Sequence, residues 1–310
     1  MAHEIAATLA QYASDSRIVR ELHDVPPYRV YEVLLDDRRA VLKIDDHPRG
    51  HAAAEGRVHE YVATETSAPV PDVLAVGSDH YLTEWRGEFE ESSETIDSDW
   101  AHAAGAWLGT LHADTTGEFG GFGQPRAGDD TLELSVHEDW VDAVRERIAH
   151  HRPFLSTVGY ADVADAVSQF FRDHPHVFDG AGGPVLCHGD VHPEHVVRAG
   201  RGGTVAIDFE HALVAPAEYD YWRTVLPYIE ADDDVDSRVL HAFRAGYESV
   251  HALPAGFEQR REVYLVLNTV AFIESLYLQK TVEPTKRDQM GEWMRTRVFR
   301  TLDEIRERES

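Results

Sequence analysis

One segment constrains the fold more than any other: Leu186-Cys187-His188-Gly189-Asp190-Val191-His192-Pro193-Glu194-His195-Val196-Val197, followed shortly by Val205-Ala206-Ile207-Asp208-Phe209-Glu210. Short apolar runs of strand character enclose polar loops, and such a hairpin-like unit brings Asp190, His195 and Asp208 to one edge. A His-Gly-Asp triplet alone carries little, because His and Asp commonly cap turns. The second acidic motif at this spacing is what turns a turn signal into a candidate site.

The N-terminal region has a different texture. Residues 15–45 alternate in polarity, with extended runs at Tyr28–Leu35 and Arg38–Asp45 around Asp36-Asp37, which reads as a tight turn. Pro26-Pro27 blocks helix just before the first run. A helical segment follows from Ala52 to Thr66, broken by Ala68-Pro69-Val70-Pro71, and then short strands at 73–76 and 80–85. Residues 1–87 therefore read as strands with one inserted helix. Beyond Gly87 the pattern is helical, with helices expected at 100–113, 136–151, 159–173, 217–230, 235–250, 257–280 and 286–308. The glycine-rich stretch 117–128 reads as loop.

Lysine is scarce. Lys43, Lys280 and Lys286 are the only three, and Lys43 lies in an apolar strand-like run, Ala40-Val41-Leu42-Lys43-Ile44. In a chain that otherwise chooses arginine, this position asks for a compact ammonium. Phosphoryl transfer needs little covalent help from a protein; it needs a carboxylate to orient the attacking hydroxyl, metal ligands, and a cation on the phosphates. Asp190 can serve as the base, Asp208 and His195 can bind metal, and Lys43 can hold phosphates.

With these parts in this order the sequence resembles the aminoglycoside-phosphotransferase and choline-kinase-like family. That family's signature is His-Gly-Asp, four residues, Asn, and then Ile-Asp with an aromatic residue and Glu or Gly. Here it reads HGDVHPEH and IDFE. The likeness extends to AVLK around Lys43, the helical Glu55, VPDVLAVGSDHYLTEWRG, and LGTLHA at 108–113, so it spans about residues 28–225. It implies an α+β, two-lobed protein-kinase-like fold, with a small β-rich nucleotide-binding lobe over residues 1–87. A larger helical lobe, 88–310, would carry catalysis and acceptor binding. It also implies an ATP-dependent transfer of the γ-phosphate to a hydroxyl of a small molecule, with Mg²⁺. By the same resemblance Lys43 contacts the α/β-phosphates and pairs with Glu55, and the backbone of Glu84, Trp85 and Arg86 meets the adenine. Asp190 is the base, Asp208 chelates the metal, and Asp220 and His188 brace the catalytic loop.

Two positions depart from the family pattern. His195 stands where the Asn metal ligand belongs, and imidazole suits Mn²⁺ or Zn²⁺ better than Mg²⁺. The segment Asp24-Val25-Pro26-Pro27-Tyr28 contains no glycine with which to cradle phosphates. A catalytically silent module that binds nucleotide or a partner is therefore an alternative. The density of His188, Asp190, His192, His195 and Asp208 also raises a metal-dependent phosphohydrolase, in which Lys43 has no task.

Composition narrows the partners. Fifty-six acidic residues against twenty-nine basic ones give a net charge of −27, which repels nucleic acid and anionic membranes. An acidic, lysine-poor surface suits a halophile, where concentrated salt screens self-repulsion. No apolar run approaches the roughly 20 residues of a membrane span, the start of the chain lacks the features of a secretory signal, and the single Cys187 excludes an internal disulfide. The expectation is a cytoplasmic monomer. Its acceptor would be an amino alcohol, sugar, amino sugar or antibiotic, and acidic surroundings favour a cationic one.

Overall fold

Five antiparallel strands form the sheet of the N-terminal part in the computed structural model, which describes residues 2–89, 95–128, 131–199, 203–230 and 236–309. They are β1 (Ser16–Val25), β2 (Tyr28–Leu35), β3 (Arg38–Asp45), β4 (Val73–Val76) and β5 (His80–Glu84), in the order β1-β2-β3-β5-β4. The alternation read from the sequence sets the bounds of β2 and β3. The turn between them places both Asp36 and Asp37 at positive φ, 45° and 68°, as a two-residue hairpin requires. The register puts Lys43 opposite Val30 on one side and Tyr81 on the other.

Two helices accompany this sheet, not the one expected. α1 (Ala2–Leu9) buries Ile5 and Leu9 against Tyr31, Val33, Leu42 and Leu82. At eight residues it is too short to show a helical period above the background of the sequence. α2 (Ala52–Glu65) buries Glu55, Val58, His59 and Val62, and so carries a carboxylate into the interior beside β3.

After a short 3₁₀ turn at Gly87–Phe89 the chain becomes mainly helical. α3 (Ser98–Thr115) starts where the Asp97 side chain accepts from the Trp100 N–H. The stretch 117–128 is not all loop: β6 (Pro125–Ala127) pairs with β7 (Leu132–Leu134), and Phe122 bridges His137. That pairing uses the segment expected to begin the next helix, so α4 starts at Trp140 and runs to Val158, ending on Gly159 in the left-handed region. α5 (Ala161–Asp173) follows.

The motif segment forms two nested hairpins. β8 (Pro184–Cys187) pairs with β11 (Leu213–Pro216), and inside that pair β9 (Val196–Ala199) meets β10 (Gly203–Ala206). α6 (Ala217–Thr224) leads into a π-helical turn, Val225–Ile229, where a plain helix was expected. Pro227 has no N–H to donate, and the Glu230 N–H bonds to Val225 O at 2.8 Å, one residue longer than the α pattern. α7 (Ser237–Glu248) begins two residues later than expected, residue 235 lying outside the described residues. A 3₁₀ turn at Phe257–Arg260 precedes α8 (Arg261–Gln279) and α9 (Pro284–Glu309).

A large core joins α3 to α9, with Trp100, Trp107, Trp140 and Cys187 all inside it. Where α3 crosses α7, a Cβ on Gly105 would lie 2.2 Å from the Phe243 carbonyl oxygen, so only glycine permits the approach. Among the described residues no helix is long and apolar enough to cross a membrane.

Candidate active site

A cleft of about 860 Å³ runs between the sheet and the helical part. Lys43, Glu84, Trp85, Arg86, Asp190, His195 and Asp208 all line it, and Glu55 stands behind Lys43, 1% exposed. The structure thus gathers every candidate residue into one place.

Lys43 ties the two parts of the molecule together. Its Nζ lies 2.9 Å from Glu55 Oε1 and 2.9 Å from Asp208 Oδ1, with Glu210 Oε2 at 3.6 Å. The ammonium also sits 4.2 Å from the centre of the Tyr28 ring. Burial opposes the charge, but Asp208, Glu55 and Glu210 outweigh it and hold the Lys43 pKa well above its usual value. Burial pushes Glu55 up, to about 7, against the pull of Lys43. Its rotamer is set by the Tyr81 hydroxyl, which donates to Oε1 at 2.7 Å.

Asp190 and Asp208 lie on the β8–β9 and β10–β11 loops, brought together by the nested hairpins. The fully buried Asp220, on α6, accepts from the His188 N–H at 2.5 Å and the Gly189 N–H at 2.9 Å. It also faces His112 Nε2 at 3.3 Å, while Tyr247 OH lies 2.9 Å from His112 Nδ1. With Asp220 ionised, His112 donates to it from Nε2. Burial disfavours the Asp220 charge, yet these donors lower its pKa. His188 joins the two loops: its Nε2 donates to Ile207 O at 2.9 Å and its Nδ1 accepts from the Asp190 N–H at 3.2 Å. Burial pushes His188 down to about 4. Phe209 packs on His188 and on His59 of α2, with ring centroids 4.7 and 5.4 Å away.

Gly189 adopts φ +83°, and a Cβ there would meet His211 O at 2.2 Å. Gly189→Ala is expected to cost roughly 1–3 kcal/mol from backbone strain alone and to displace Asp190. A lowered melting temperature together with lost activity would bear this out; wild-type values for both would refute it. Asp208 also holds a left-handed φ, 68°, a conformation that non-glycine residues keep only when their surroundings enforce it.

The Asp190 carboxylate is nearly enclosed. Tyr228, from the π-helical turn, donates its hydroxyl to Oδ1 at 2.6 Å, while His192 Nε2 and His195 Nδ1 lie 3.5 and 3.3 Å from Oδ2. Burial would raise the Asp190 pKa, but the contacts with His192 and His195 hold it well below the carboxylate range. His195 spans both acids, its Nε2 lying 3.5 Å from Asp208 Oδ2. Burial works against its charge, and Asp208 and Asp190 overcome this to raise it to about 9. Asp208 lines the cleft, and a carboxylate oxygen is the hard donor that a divalent cation takes. Asp190, His192 and His195 also present ligand atoms within 4.8 Å of one another.

Sequence reasoning did not find Tyr228, whose place depends on the π-helical turn, nor Tyr81 and Phe209 as supports. Pro227 inside a helical run was the one available signal for the first. At the hinge, the Glu84 and Trp85 N–H groups donate to Asp72 O and Arg39 O, and the Arg39 guanidinium stacks 4.1 Å over the Trp85 ring.

Comparison with known proteins is consistent with this geometry. A family model described as the phosphotransferase enzyme family matches residues 28–262. No curated protein sequence matches the chain. Among solved structures it is similar to the aminoglycoside phosphotransferase APH(4)-Ia, with 16% identity, a TM-score of 0.66, and coverage of 98% of this chain and 99% of that one. A thermostable mutant of that enzyme, in ternary complex with AMP-PNP and hygromycin B, has 16% identity and a TM-score of 0.66, with 97% and 98% covered. The macrolide 2′-phosphotransferase MphH from Brachybacterium faecium has 17% identity and a TM-score of 0.56, with 96% and 97% covered.

Proposed function

Because the chain belongs to the phosphotransferase enzyme family, we propose that it transfers the γ-phosphate of ATP to a hydroxyl of a small molecule, with Asp190 as the base. The observation that carries this reading is Lys43, held by Glu55 from one side of the cleft and Asp208 from the other, with Asp190 facing the same space. The nucleotide-binding part would end near Gly87. There the Glu84 and Trp85 amides already donate to Asp72 O and Arg39 O, so the backbone of Glu84, Trp85 and Arg86 would meet the adenine edge through groups other than these two amides.

In this reading Asp190 orients the acceptor hydroxyl and takes its proton as the oxygen bonds to the γ-phosphorus and the bond to the β-bridging oxygen breaks, releasing ADP. A strongly ionised carboxylate is a weak base, and its task is mainly to position the nucleophile, as a loose phosphoryl-transfer transition state allows. Tyr228 fixes the Asp190 rotamer. Lys43 would hold the α/β-phosphates. Asp208 and His195 would hold Mg²⁺ or Mn²⁺, which when bound neutralises phosphate charge. Tyr228→Phe removes a hydrogen bond to a charged acceptor and is expected to lower kcat about tenfold with the KM for ATP unchanged. An unchanged kcat would remove Tyr228 from the positioning role.

The test is acceptor-stimulated ADP release in molar KCl, chosen for the acidic and lysine-poor composition, with Mg²⁺ and Mn²⁺ compared. Failure of ATP to bind under either metal sinks the proposal. A second reading has its own observation: His195 engages both acids, one through each ring nitrogen, where the family pattern has an amide. A nucleotide-binding module without turnover would follow from that clasp. Nucleotide binding without ADP release, with turnover gained in His195→Asn, would establish it.

A further inference from the structure

Two arginines, one lining the cleft and one an adjoining cavity, are buried without a carboxylate in ion-pair contact. Arg223, on α6, is 2% exposed. Its Nε donates to Gly189 O, but its Nη1 is buried with no partner, and the side chain lines the cleft with its guanidinium 5.0 Å from the Phe272 ring. Arg147, on α4, is 7% exposed and lines a smaller cavity of about 80 Å³. That cavity shares Glu210, His211, Ser275 and Gln279 with the cleft, so the two spaces adjoin. Neither arginine forms an ion pair with a described carboxylate, and the charge of Arg223 reaches Arg147 and opposes it.

The chain treats a structural arginine otherwise. Arg260, 8% exposed, meets Glu218 through Nε and Nη2 at 2.6 and 2.8 Å and donates to the carbonyls of Asp179, Gly180 and Ala255. With fifty-six acidic residues to twenty-nine basic ones, counter-charges are not scarce in this sequence. The carboxylates near the pair are committed elsewhere: Glu274 to Arg49 at 2.8 Å and His151 at 2.9 Å, Asp190 to Tyr228, and Asp220 to the loop amides. Asp190 and Asp220 favour the Arg223 charge, and Glu274 that of Arg147, but only from beyond ion-pair contact, and a ligand oxygen against the unpartnered Arg223 Nη1 would supply the contact the chain withholds. Burial and then the neighbouring arginines push His150 and His151 down, so this wall gains further donors once an anion lies against it.

We propose that Arg223 and Arg147 anchor an anionic oxygen group of the acceptor, a carboxylate or a phosphate, so that the substrate is a hydroxylated anion. This rests on the phosphotransferase reading above, and it reverses the cationic acceptor expected from overall charge. The general surface is acidic, but this wall sets Arg49, Arg147 and Arg223 beside Glu210 and Glu274, whose charges already face Lys43 and Arg49.

The test has two arms. In the first, wild type is given four matched six-carbon acceptors: gluconate, sorbitol 6-phosphate, sorbitol and glucosamine. At least one anion is expected to exceed sorbitol in kcat/KM by roughly 10- to 100-fold, the worth of a charge-assisted contact, and which anion does so separates carboxylate from phosphate. In the second arm, inorganic phosphate at constant ionic strength is expected to raise the melting temperature saturably. Arg147→Gln should remove that shift and raise the KM for the anionic acceptor toward that for sorbitol, while Arg147→Lys keeps part of both. Sorbitol or glucosamine used as well as the better of the two anions overturns the proposal, as does the absence of a saturable phosphate shift in wild type. Should none of the four turn over and ATP fail to bind, the kinase reading fails, and the phosphate shift with its dependence on Arg147 still decides the anion site. Should Arg147→Gln not fold, the wild-type arms decide alone.

Discussion

Asp190→Asn is expected to lower acceptor-stimulated ADP release by about 10³-fold, within the range that loss of a positioned general base produces. The amide cannot take the hydroxyl proton. It can still accept from Tyr228 at 2.6 Å, so the loop keeps its main tether. Where the amide nitrogen replaces Oδ2, it faces His192 and His195 at 3.5 and 3.3 Å, and a donor would meet donors there. That clash should lower the melting temperature modestly, while the Tyr228 tether keeps the loop in place, so ATP affinity is held and turnover collapses. Turnover retained in the variant would remove Asp190 from the reaction and send the search to Glu210 or His211 on the same wall.

Lys43→Met is expected to cost roughly 3–5 kcal/mol of stability, the penalty for breaking a buried ion pair from one side. Glu55 is left 1% exposed beside Asp208 and Glu210 with no cation of its own, since His195 reaches Asp208 and not Glu55. For a chain of this size that corresponds to a drop in melting temperature on the order of 10 °C. Surface ion pairs fade in molar KCl, whereas this loss should persist, because buried charges are screened far less. The double variant Lys43→Met with Glu55→Gln should recover part of it by removing the stranded charge. An unchanged melting temperature in the single variant would mean that water reaches the carboxylates freely.

The legibility of the chain follows from where each signal resides. β2 and β3 were readable because one face of each is buried and the period of two survives in the residues. β1 was not set apart as a strand, since most of its residues are exposed and nothing forces alternation on them. The shared location of Lys43, Asp190 and Asp208 was legible from motifs, each carrying its own spacing. Tyr228 was hidden because a single proline shifted the helix by one residue and swung a side chain that a regular helix would point elsewhere. Arg147 and Arg223 were hidden for a plainer reason. In sequence a buried arginine looks like an exposed one, and only the missing carboxylate, a fact about neighbours in space, sets it apart.

The placement of the lysines also has a practical consequence for amine chemistry. Lys280 and Lys286 stand exposed at the corner between α8 and α9, while Lys43, 5% exposed, is clasped as an ammonium by three carboxylates and offers no nucleophilic lone pair. An acylating reagent will therefore decorate the side chains of one corner and spare the cleft. A third side-chain acyl group, read as a fixed increment of mass, would appear only in molecules in which Lys43 had left Asp208 and Glu210 across the cleft and Glu55 on its own side. The chain thus carries a built-in reporter of opening that needs no engineered label.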